Sequence, residues 1–580
     1  MPADNAERIV TALGSAASLT DLPFVGVHSV TRRPGDIEAA LEGRFRLGDQ
    51  RFRLSPPVDW WQEPYGSSSE HAFFQNSFVF ADPLLANPRF PEVLVPLAEI
   101  IVDWISANPQ QSAAHPHRYA WHDHAAAGRI VAVAFVLREG VRRAMLDRAM
   151  AEVLAASVIE HAEFLLAEEN YAAHHNHGFT SDAALTLAAR SLAPAPETEE
   201  WAEVAERRFA RVLDHMIDRE EAIHLEHSPY YHWIIQGALA RFAAGGLFGG
   251  LDLAGLTRRM EKSGAWLVAP DGTLPPIGDT PMDKRPPRSA AAICATCTGM
   301  KVFPAAGYAV VKVADSALIV TAAHHPTAHK HADDGSFCLY EKGRPLILDS
   351  GNPGYEYDGS EFLYGTSPAA HATVCVDGFD WAKKSPPHGS GMVASTESTG
   401  LYALLTRNPH GVPGGGAVRR VLVYAPEQFL LVIDDVEASS DHRLSRHLPL
   451  APGLEARLTK PGEVEIAGGD STLARLLQIP APEAPVDRVD IASGQRQPEL
   501  KGFRFITPEK PCASCDVTFS GAAGEPRALA LLLNPTVPNR SPAMTWNAVE
   551  GRLDVDVTGV TDSPLKIRIG EDSLALGHGS

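Results

Sequence analysis

Apolar residues recur every three or four positions through the first half of the chain, which is the spacing of amphipathic helices. Short breaks rich in Pro, Gly or Asn separate these segments. The pattern predicts six helices, at residues 91–107, 128–141, 149–166, 181–192, 201–217 and 232–245. Helices joined by short turns pack as antiparallel pairs, in a bundle, a solenoid or a toroid.

The pattern changes at residues 270–288, a stretch rich in Pro and Gly. Beyond it, β-branched and alternating segments dominate, with turn residues at close intervals, and they predict a large antiparallel sandwich. The clearest predicted strands are residues 308–313, 317–323, 336–342, 344–349, 372–378, 401–407, 419–425, 429–436, 528–534, 553–559 and 564–570. Residues 455–527 are richer in Pro, Gly and charge, and predict weaker strands and loops.

A chain of 580 residues is too long for one hydrophobic core, so several domains are expected. We predict a helical domain at residues 91–270, a linker at 271–288 and a β-domain at 289–580. Residues 1–90 are expected to pack on the helical domain.

The charge balance limits the classes of partner. A formal net charge of −20 argues against a nucleic-acid binder, because phosphate binding needs a basic surface. It does not exclude an acidic polymer as substrate, since a basic cleft can lie within an acidic protein. No membrane span and no secretory leader are recognised, so we expect a cytoplasmic protein, or a periplasmic one if a leader has been removed.

Cysteine contributes little to the picture. Six cysteines are too few for a disulfide framework. Cys294 and Cys297, and likewise Cys512 and Cys515, form CxxC pairs, which we interpret as reduced structural thiols, with a zinc or redox role left open.

The densest chemistry lies at residues 324–337, HHPTAHKHADDGSF. His329 and His331 are two residues apart, so on a strand they would share one face and Lys330 would face away. Asp349 ends an apolar run and His371 opens a further strand. Two histidines and an aspartate from adjacent strands, with water as fourth ligand, fit a tetrahedral zinc site.

Two further polar islands lie in the helical half. The first, ENYAAHHNHGFTSD, contains Asn176 and His177 at a predicted helix junction, where a shared polar pocket and ordinary capping both remain open. The second, EAIHLEHSPYYHWII at residues 221–235, places Tyr230 and Tyr231 at a helix start. These tyrosines are either functional or core aromatics.

These islands together resemble the heparinase II/III-like polysaccharide lyases. The motifs that carry the resemblance are NHG, SPYYH, HKHADD, LDSG and AHATV, in that order between residues 170 and 375, and the flanking organisation agrees over most of the chain. IGDT at residues 277–280 looks like the family's interdomain turn, and Arg129 looks like a position that faces the cleft. One departure is Ala372, where the family usually has Asn.

The resemblance implies an α+β multidomain fold, with an N-terminal incomplete (α/α) toroid followed by a C-terminal antiparallel β-sandwich and an active site between them. It also implies β-elimination at a uronic acid, which leaves a 4,5-unsaturated uronate end. The expected partner is an acidic poly- or oligosaccharide, and we leave open whether the chain forms a homodimer.

The resemblance also implies roles for single residues. Asn176 and His177 would neutralise the uronate carboxylate, and His329 would act as base for one C5 configuration. Tyr231 would act as acid, with a second role as base left open. Tyr230 and Arg129 would contact substrate, Tyr230 being the alternative catalytic tyrosine. His331, Asp349 and His371 would bind a structural zinc ion that holds the strand presenting His329.

Three other functions stay open. Zinc could activate water for hydrolysis. A glycoside hydrolase on the same scaffold would need paired carboxylates, for which Glu163, Glu168 and Glu169 are available. A non-catalytic glycan-binding or capsule-assembly protein could have kept the fold.

Overall fold

The computed structural model describes residues 2–15, 21–28, 31–47, 50–60, 69–110, 119–325, 329–381, 386–479, 486–507, 510–534, 542–549 and 551–578. Its contacts divide the chain into two compact units. The first comprises Met1–Met216 and Gln236–Thr257, and the second comprises Ile217–Ile235 and Arg258–Ser580.

The first unit is helical apart from one hairpin. Its helices are α1 (Pro2–Ser15), α2 (Asp36–Leu41), α3 (Ser69–Asn76), α4 (Asp82–Leu85), α5 (Leu94–Ala107), α6 (Asp123–Arg142), α7 (Arg148–Leu166), α8 (Asn176–Leu192) and α9 (Glu197–Met216). Strands β1 (Arg44–Leu47) and β2 (Gln50–Arg53) form the hairpin. Two more helices, α10 (Pro229–Ala244) and α11 (Leu253–Trp266), contribute residues to both units.

All six predicted helices are present, as α5 to α10. Helix α6 is buried on every side from Ala125 to Gly140, where apolar and small residues predominate and Arg129, Arg138 and Glu139 are buried among them. Helix α8 begins at Asn176, five residues before the predicted start. Its first turn is polar, so apolar spacing alone could not locate the N-terminus.

The second unit is mainly β-structure. Its elements are β3 (Ile217–Asp218), β4 (Ile223–His224), α12 (Ala291–Cys294), β5 (Gly299–Phe303), β6 (Tyr308–Val313), β7 (Ser316–Thr321), β8 (Ser336–Glu341), β9 (Arg344–Ile347), α13 (Ser360–Gly365), β10 (Val374–Val376), β11 (Met392–Ser398), β12 (Leu401–Asn408), β13 (Val418–Ala425), β14 (Phe429–Val436), β15 (Arg443–Pro449), β16 (Glu455–Lys460), β17 (Glu463–Gly468), β18 (Ser471–Ile479), β19 (Arg488–Ser493), β20 (Phe503–Thr507), β21 (Lys510–Ala513), β22 (Cys515–Ala522), β23 (Arg527–Leu532), β24 (Ala543–Val549), β25 (Arg552–Thr558), β26 (Leu565–Gly570) and β27 (Leu574–His578). Every predicted strand is present, and residues 455–527 contain the seven strands β16 to β22.

The strands pair antiparallel in sheets that share buried faces. A five-stranded sheet has the order β5-β6-β7-β8-β9, and an eight-stranded sheet has the order β11-β12-β13-β14-β23-β18-β17-β16. Side chains of these two sheets and of a four-stranded sheet, β10-β15-β22-β19, form one core. The opposite face of the eight-stranded sheet packs against a C-terminal sheet, β24-β25-β26-β27. The chain therefore has an α+β multidomain fold.

Burial on both faces explains the continuous apolar runs. In β6, Ala309 and Val311 face the core shared with the eight-stranded sheet, while Tyr308 and Val310 face a second cluster. Strands covered on one face only would alternate apolar and polar residues, as β26 does. No helix within the described ranges is long and apolar enough to cross a membrane.

Residues 271–288, the predicted linker, contain no helix or strand apart from a short 3-10 turn that starts at Arg288. They are nevertheless well packed, since Ile277, Asp279 and Thr280 are buried. This buried irregular segment becomes important for the candidate active site of the second unit.

Candidate active site

Residues 329–335 of the histidine-rich segment lie in a loop, not on a strand. Residues 329–335 connect β7 to β8 and have no strand conformation, so the expectation of a shared strand face was wrong. Lys330 does not face outward either, because its side chain is buried against Asp333 and Asp334. The charges of these two carboxylates offset the cost of burying the ammonium group.

The loop brings His329 against Tyr231, near the start of α10. The two rings are stacked, with centroids 3.6 Å apart and planes inclined by 19°. Residue Ser228 precedes the helix, and its hydroxyl lies 2.8 Å from the hydroxyl of Thr280. The turn before the helix and the irregular segment thus hold Tyr231 in place.

His329 lies between two buried carboxylates. Its Nδ1 is 2.8 Å from Asp279 Oδ2, and its Nε2 is 3.4 Å from Glu226 Oε2. Burial lowers the pKa of His329, but the charges of Glu226 and the hydrogen bond to Asp279 outweigh it, so the pKa is raised above its usual value. A proton on this ring is therefore held more tightly than on a free imidazole.

Tyr231 has a protonated phenol at neutral pH. Burial raises its pKa well above the usual range, and nearby Tyr355, Asp279 and Glu226 raise it further. Its hydroxyl lies 2.9 Å from the hydroxyl of Tyr355, which in turn accepts from Asn352 Nδ2 at 3.4 Å. A proton donor is thus fixed beside His329.

The neighbouring Tyr230 has different surroundings. Its backbone N–H donates to Thr280 Oγ1 at 3.2 Å. Its half-buried ring packs against the apolar cluster of Trp233 and Leu274, with the ammonium of Lys284 5.6 Å from the ring centroid. Of the two adjacent tyrosines, Tyr231 is the one stacked on His329.

The predicted zinc ligands His331, Asp349 and His371 are all buried in the second unit. His371 Nδ1 contacts Asp349 Oδ1, and the rings of His331 and His371 have centroids 5.3 Å apart. Asp349 Oδ2 is buried with no hydrogen-bond partner among the described residues. Two imidazoles and a carboxylate with a spare buried oxygen are the donor types that zinc takes.

Asn176 and His177 lie in the first unit, in the first turn of α8. His177 Nδ1 is 3.1 Å and 3.2 Å from the two carboxylate oxygens of Asp123, the first residue of α6. Burial favours a higher pKa for Asp123, but hydrogen bonds from His122 and His177 lower it overall. The ionised carboxylate therefore orients the imidazole of His177.

His122, Asp123 and His177 also form a group that could hold a metal ion. One ligand atom from each lies within 4.8 Å of the others, and all three residues are half-buried. Among the described residues, the ligand atoms of His331, Asp349 and His371 do not meet this spacing.

Arg129 is completely buried in the first unit. Its Nε donates to His161 Nε2 at 3.0 Å, and its terminal nitrogens donate to the carbonyls of Asn76 and Ala120. Its guanidinium carbon lies 4.0 Å from the ring centroid of Trp104. The structure thus differs from the expectation of a cleft-facing arginine, because these contacts engage the guanidinium and leave none of the side chain exposed.

Four residues that contact the predicted site residues were not themselves predicted from the sequence: Glu226, Asp279, Tyr355 and Asp123. Asp279 lies in IGDT, which the resemblance had marked, and Asp123 lies in WHDH. A polar residue inside a marked motif was the available signal for Asp279, whereas Asp123 lies outside the motifs that carry the resemblance. Glu226 lies in the second polar island, where nothing distinguished it from its neighbours, and Tyr355 lies outside the islands; the contacts of both depend on distant segments.

Comparison with known proteins agrees with the motifs. Residues 97–286 match the family model described as Heparinase II/III N-terminus, and residues 295–529 match Heparinase II/III-like, C-terminal. No curated protein matches the sequence.

Solved structures share the fold. Heparinase III is 15% identical with a TM-score of 0.74, covering 99% of this chain and 95% of the other. Heparan sulfate lyase HepC from Pedobacter heparinus is 15% identical with a TM-score of 0.61, covering 100% of this chain and 93% of the other. At such low sequence identity, the similarity to these structures is evidence for a shared fold and for nothing further.

Proposed function

The chain belongs to the heparinase II/III-like family and is a polysaccharide lyase, and we propose that it cleaves a uronic-acid-containing poly- or oligosaccharide by β-elimination. The two family models together span residues 97–529 with one short gap. The product would carry a 4,5-unsaturated uronate end. The observation that supports this proposal most is the stacked pair of Tyr231 and His329.

Elimination involves three changes in the sugar. The C5 proton is removed, the C4–oxygen bond breaks as the C4–C5 double bond forms, and the leaving oxygen takes up a proton. The negative charge that develops on the uronate carboxylate needs hydrogen-bond donors or a cation beside it. We propose Asn176 and His177 for this neutralisation, with Asp123 orienting His177.

Tyr231 fits the role of acid that protonates the leaving oxygen. Its raised pKa keeps the phenol protonated until the oxygen departs. His329 is proposed as base for one C5 configuration, since the two carboxylates beside it raise its pKa and so make its neutral ring a stronger proton acceptor. The alternative role of Tyr231 as base would need an ionised phenolate, which its raised pKa disfavours.

A zinc ion on His331, Asp349 and His371 is proposed as structural. Bound there, it would supply a fixed link between the loop of residues 329–335, the end of β9 and the segment before β10. The three residues would hold the loop so that His329 keeps its place against Tyr231. Tyr230 is proposed to contact substrate through its partly exposed ring, and an acidic saccharide is the proposed partner.

The proposal is tested with a panel of uronate polysaccharides, following the ultraviolet absorbance of the unsaturated product. Tyr231→Phe removes the acid and should lower kcat by about 100-fold or more on the substrate that is cleaved. The control is Tyr357→Phe, which removes the same hydroxyl from a side chain 64% exposed, and should keep wild-type kcat.

Two results would contradict the proposal. One is new reducing ends without the chromophore, which would indicate hydrolysis. The other is saccharide binding with no turnover of any polymer, which would indicate a binding protein.

A further inference from the structure

The segment of residues 277–280, IGDT, contacts both the start of α10 and the loop of residues 329–335. Gly278 lies so close to the chain that a Cβ atom there would be 2.5 Å from the His227 carbonyl oxygen and 2.6 Å from that of His329. Thr280 bonds to Ser228 before α10. This turn therefore joins the start of α10 to the histidine loop.

Asp279 is the polar centre of the turn. Its Oδ2 lies 2.8 Å from His329 Nδ1, its Oδ1 lies 3.0 Å from His331 Nε2, and its backbone N–H donates to the His329 carbonyl at 3.2 Å. Only 3% of the residue is exposed. One buried carboxylate thus binds the proposed base and a proposed zinc ligand at the same time.

We infer that Asp279 is a positioning residue that couples the zinc site to His329. The inference rests on the proposed function, because it takes His329 as the base and His331 as a ligand. A carboxylate accepts hydrogen bonds, so His331 donates from Nε2 and its lone pair is on Nδ1. A metal-binding histidine characteristically donates its other N–H to a carboxylate in this way.

The coupling follows from the shared carboxylate. Nδ1 of His331 lies on the side of Ser350, 3.5 Å from its hydroxyl. When this nitrogen binds metal, the ring of His331 is fixed, and Asp279 is fixed through Nε2. The same carboxylate accepts from His329 Nδ1 at 2.8 Å, so a fixed Asp279 would keep the imidazole stacked on Tyr231.

The test is Asp279→Asn, which keeps the size of the side chain but removes one acceptor and the charge. We expect the dissociation constant for zinc, measured by chelator competition, to rise about 10- to 100-fold. With zinc saturating, kcat should still fall at least 10-fold while KM changes less than about 3-fold, because Asp279 orients the base without contacting substrate.

The matched control is Asp283→Asn, the same substitution on an exposed residue four positions along the chain. It should leave both the zinc affinity and kcat at wild-type values. An Asp279→Asn variant that loses kcat with unchanged zinc affinity would overturn the coupling, and so would one that loses zinc affinity but regains full kcat at saturating zinc.

A second measurement uses the intact wild-type chain and covers the case in which Asp279→Asn does not fold. The side-chain ¹⁵N signals of His329, assigned with His329→Gln, are recorded with zinc and after chelation. We expect the His329 signals to shift on chelation, and unchanged signals would overturn the inference. Both the zinc affinity and these signals are independent of turnover, so a failure to cleave any uronate polymer would count against the proposed function alone.

Discussion

The pKa values of buried carboxylates in this protein depend on the groups that contact them. Asp279 accepts hydrogen bonds from two imidazoles, which lower its pKa below the usual value despite burial. Asp182 in α8 is equally inaccessible, but its Oδ2 accepts a hydrogen bond from the Tyr171 hydroxyl at 2.8 Å, and burial raises its pKa to about 8. A neutral hydroxyl cannot compensate a buried charge as an ion pair does.

The state of Asp182 should make stability depend on pH. The pKa of Asp182 in the folded protein, about 8, lies above the usual 3.8. The contribution of Asp182 to the free energy of unfolding is therefore complete below about pH 4 and is lost as the pH rises through 8. Asp182→Asn removes this titration, and the variant should be more stable than wild type at pH 8 by on the order of 2 kcal/mol. The midpoint of thermal unfolding, followed from pH 5 to pH 8.5, measures this difference.

A control for this prediction is Asp214→Asn, on an exposed position of α9. It should follow the wild-type pH profile throughout. Parallel profiles for wild type and Asp182→Asn would show that Asp182 is ionised in the folded protein at all these values.

At the scale of elements, the regular helices and strands carry segments that are irregular and yet buried. The turn at residues 277–280 and the loop at residues 329–335 hold the proposed chemistry of the second unit. Such segments lack the ladder of hydrogen bonds that stabilises helices and strands, so single contacts decide their conformation.

Gly278 should therefore tolerate substitution poorly. Its φ of +54° is unfavourable for other residues, and a Cβ atom would meet two carbonyl oxygens. Gly278→Ala should lower stability by about 3 kcal/mol or more, or prevent folding. Thermal unfolding of the purified variant, together with soluble yield, measures the effect.

Gly343→Ala separates backbone strain from steric conflict. Gly343 has a φ of +73°, but no atom lies within 4 Å of the position of its Cβ. Its substitution should cost only about 1 kcal/mol, the strain of a left-handed alanine. Equal losses for the two variants would mean that close approach does not constrain the turn.

At the scale of the whole chain, the β-structure of the second unit consists of sheets stacked in layers. The eight-stranded sheet is covered on one face by the five-stranded and four-stranded sheets, and on the other by β24 to β27. The C-terminal sheet therefore belongs to the core, although the family models end at residue 529.

The prediction at this scale concerns Val555 in β25, which is fully buried against the eight-stranded sheet. Val555→Ala should lower the free energy of unfolding by about 2 kcal/mol, through lost burial and the cavity that remains. Val549→Ala in β24, where the valine is 44% exposed, should cost less than about 0.5 kcal/mol. Denaturant unfolding compares them, and equal costs would mean that the C-terminal sheet does not share the core.

Apolar periodicity located α5 to α10 and the long strands, because the spacing of buried side chains is a local property of helices and strands. The same reasoning misplaced the histidine segment on a strand. Two histidines with one residue between them can face one carboxylate from a loop, as His329 and His331 do, or share one face of a strand. The spacing alone does not distinguish a loop from a strand.

The sequence by itself determined the fold class, the candidate residues and, through ordered motifs, the family. Only the tertiary structure decided which tyrosine stacks on His329, that Arg129 is buried, and that Asp279 serves two histidines lying 50 and 52 residues away along the chain. The physical reason is that a periodic pattern reports which side of an element is buried. A hydrogen bond between distant irregular segments depends on how the whole chain packs, and it leaves no periodic pattern in either segment.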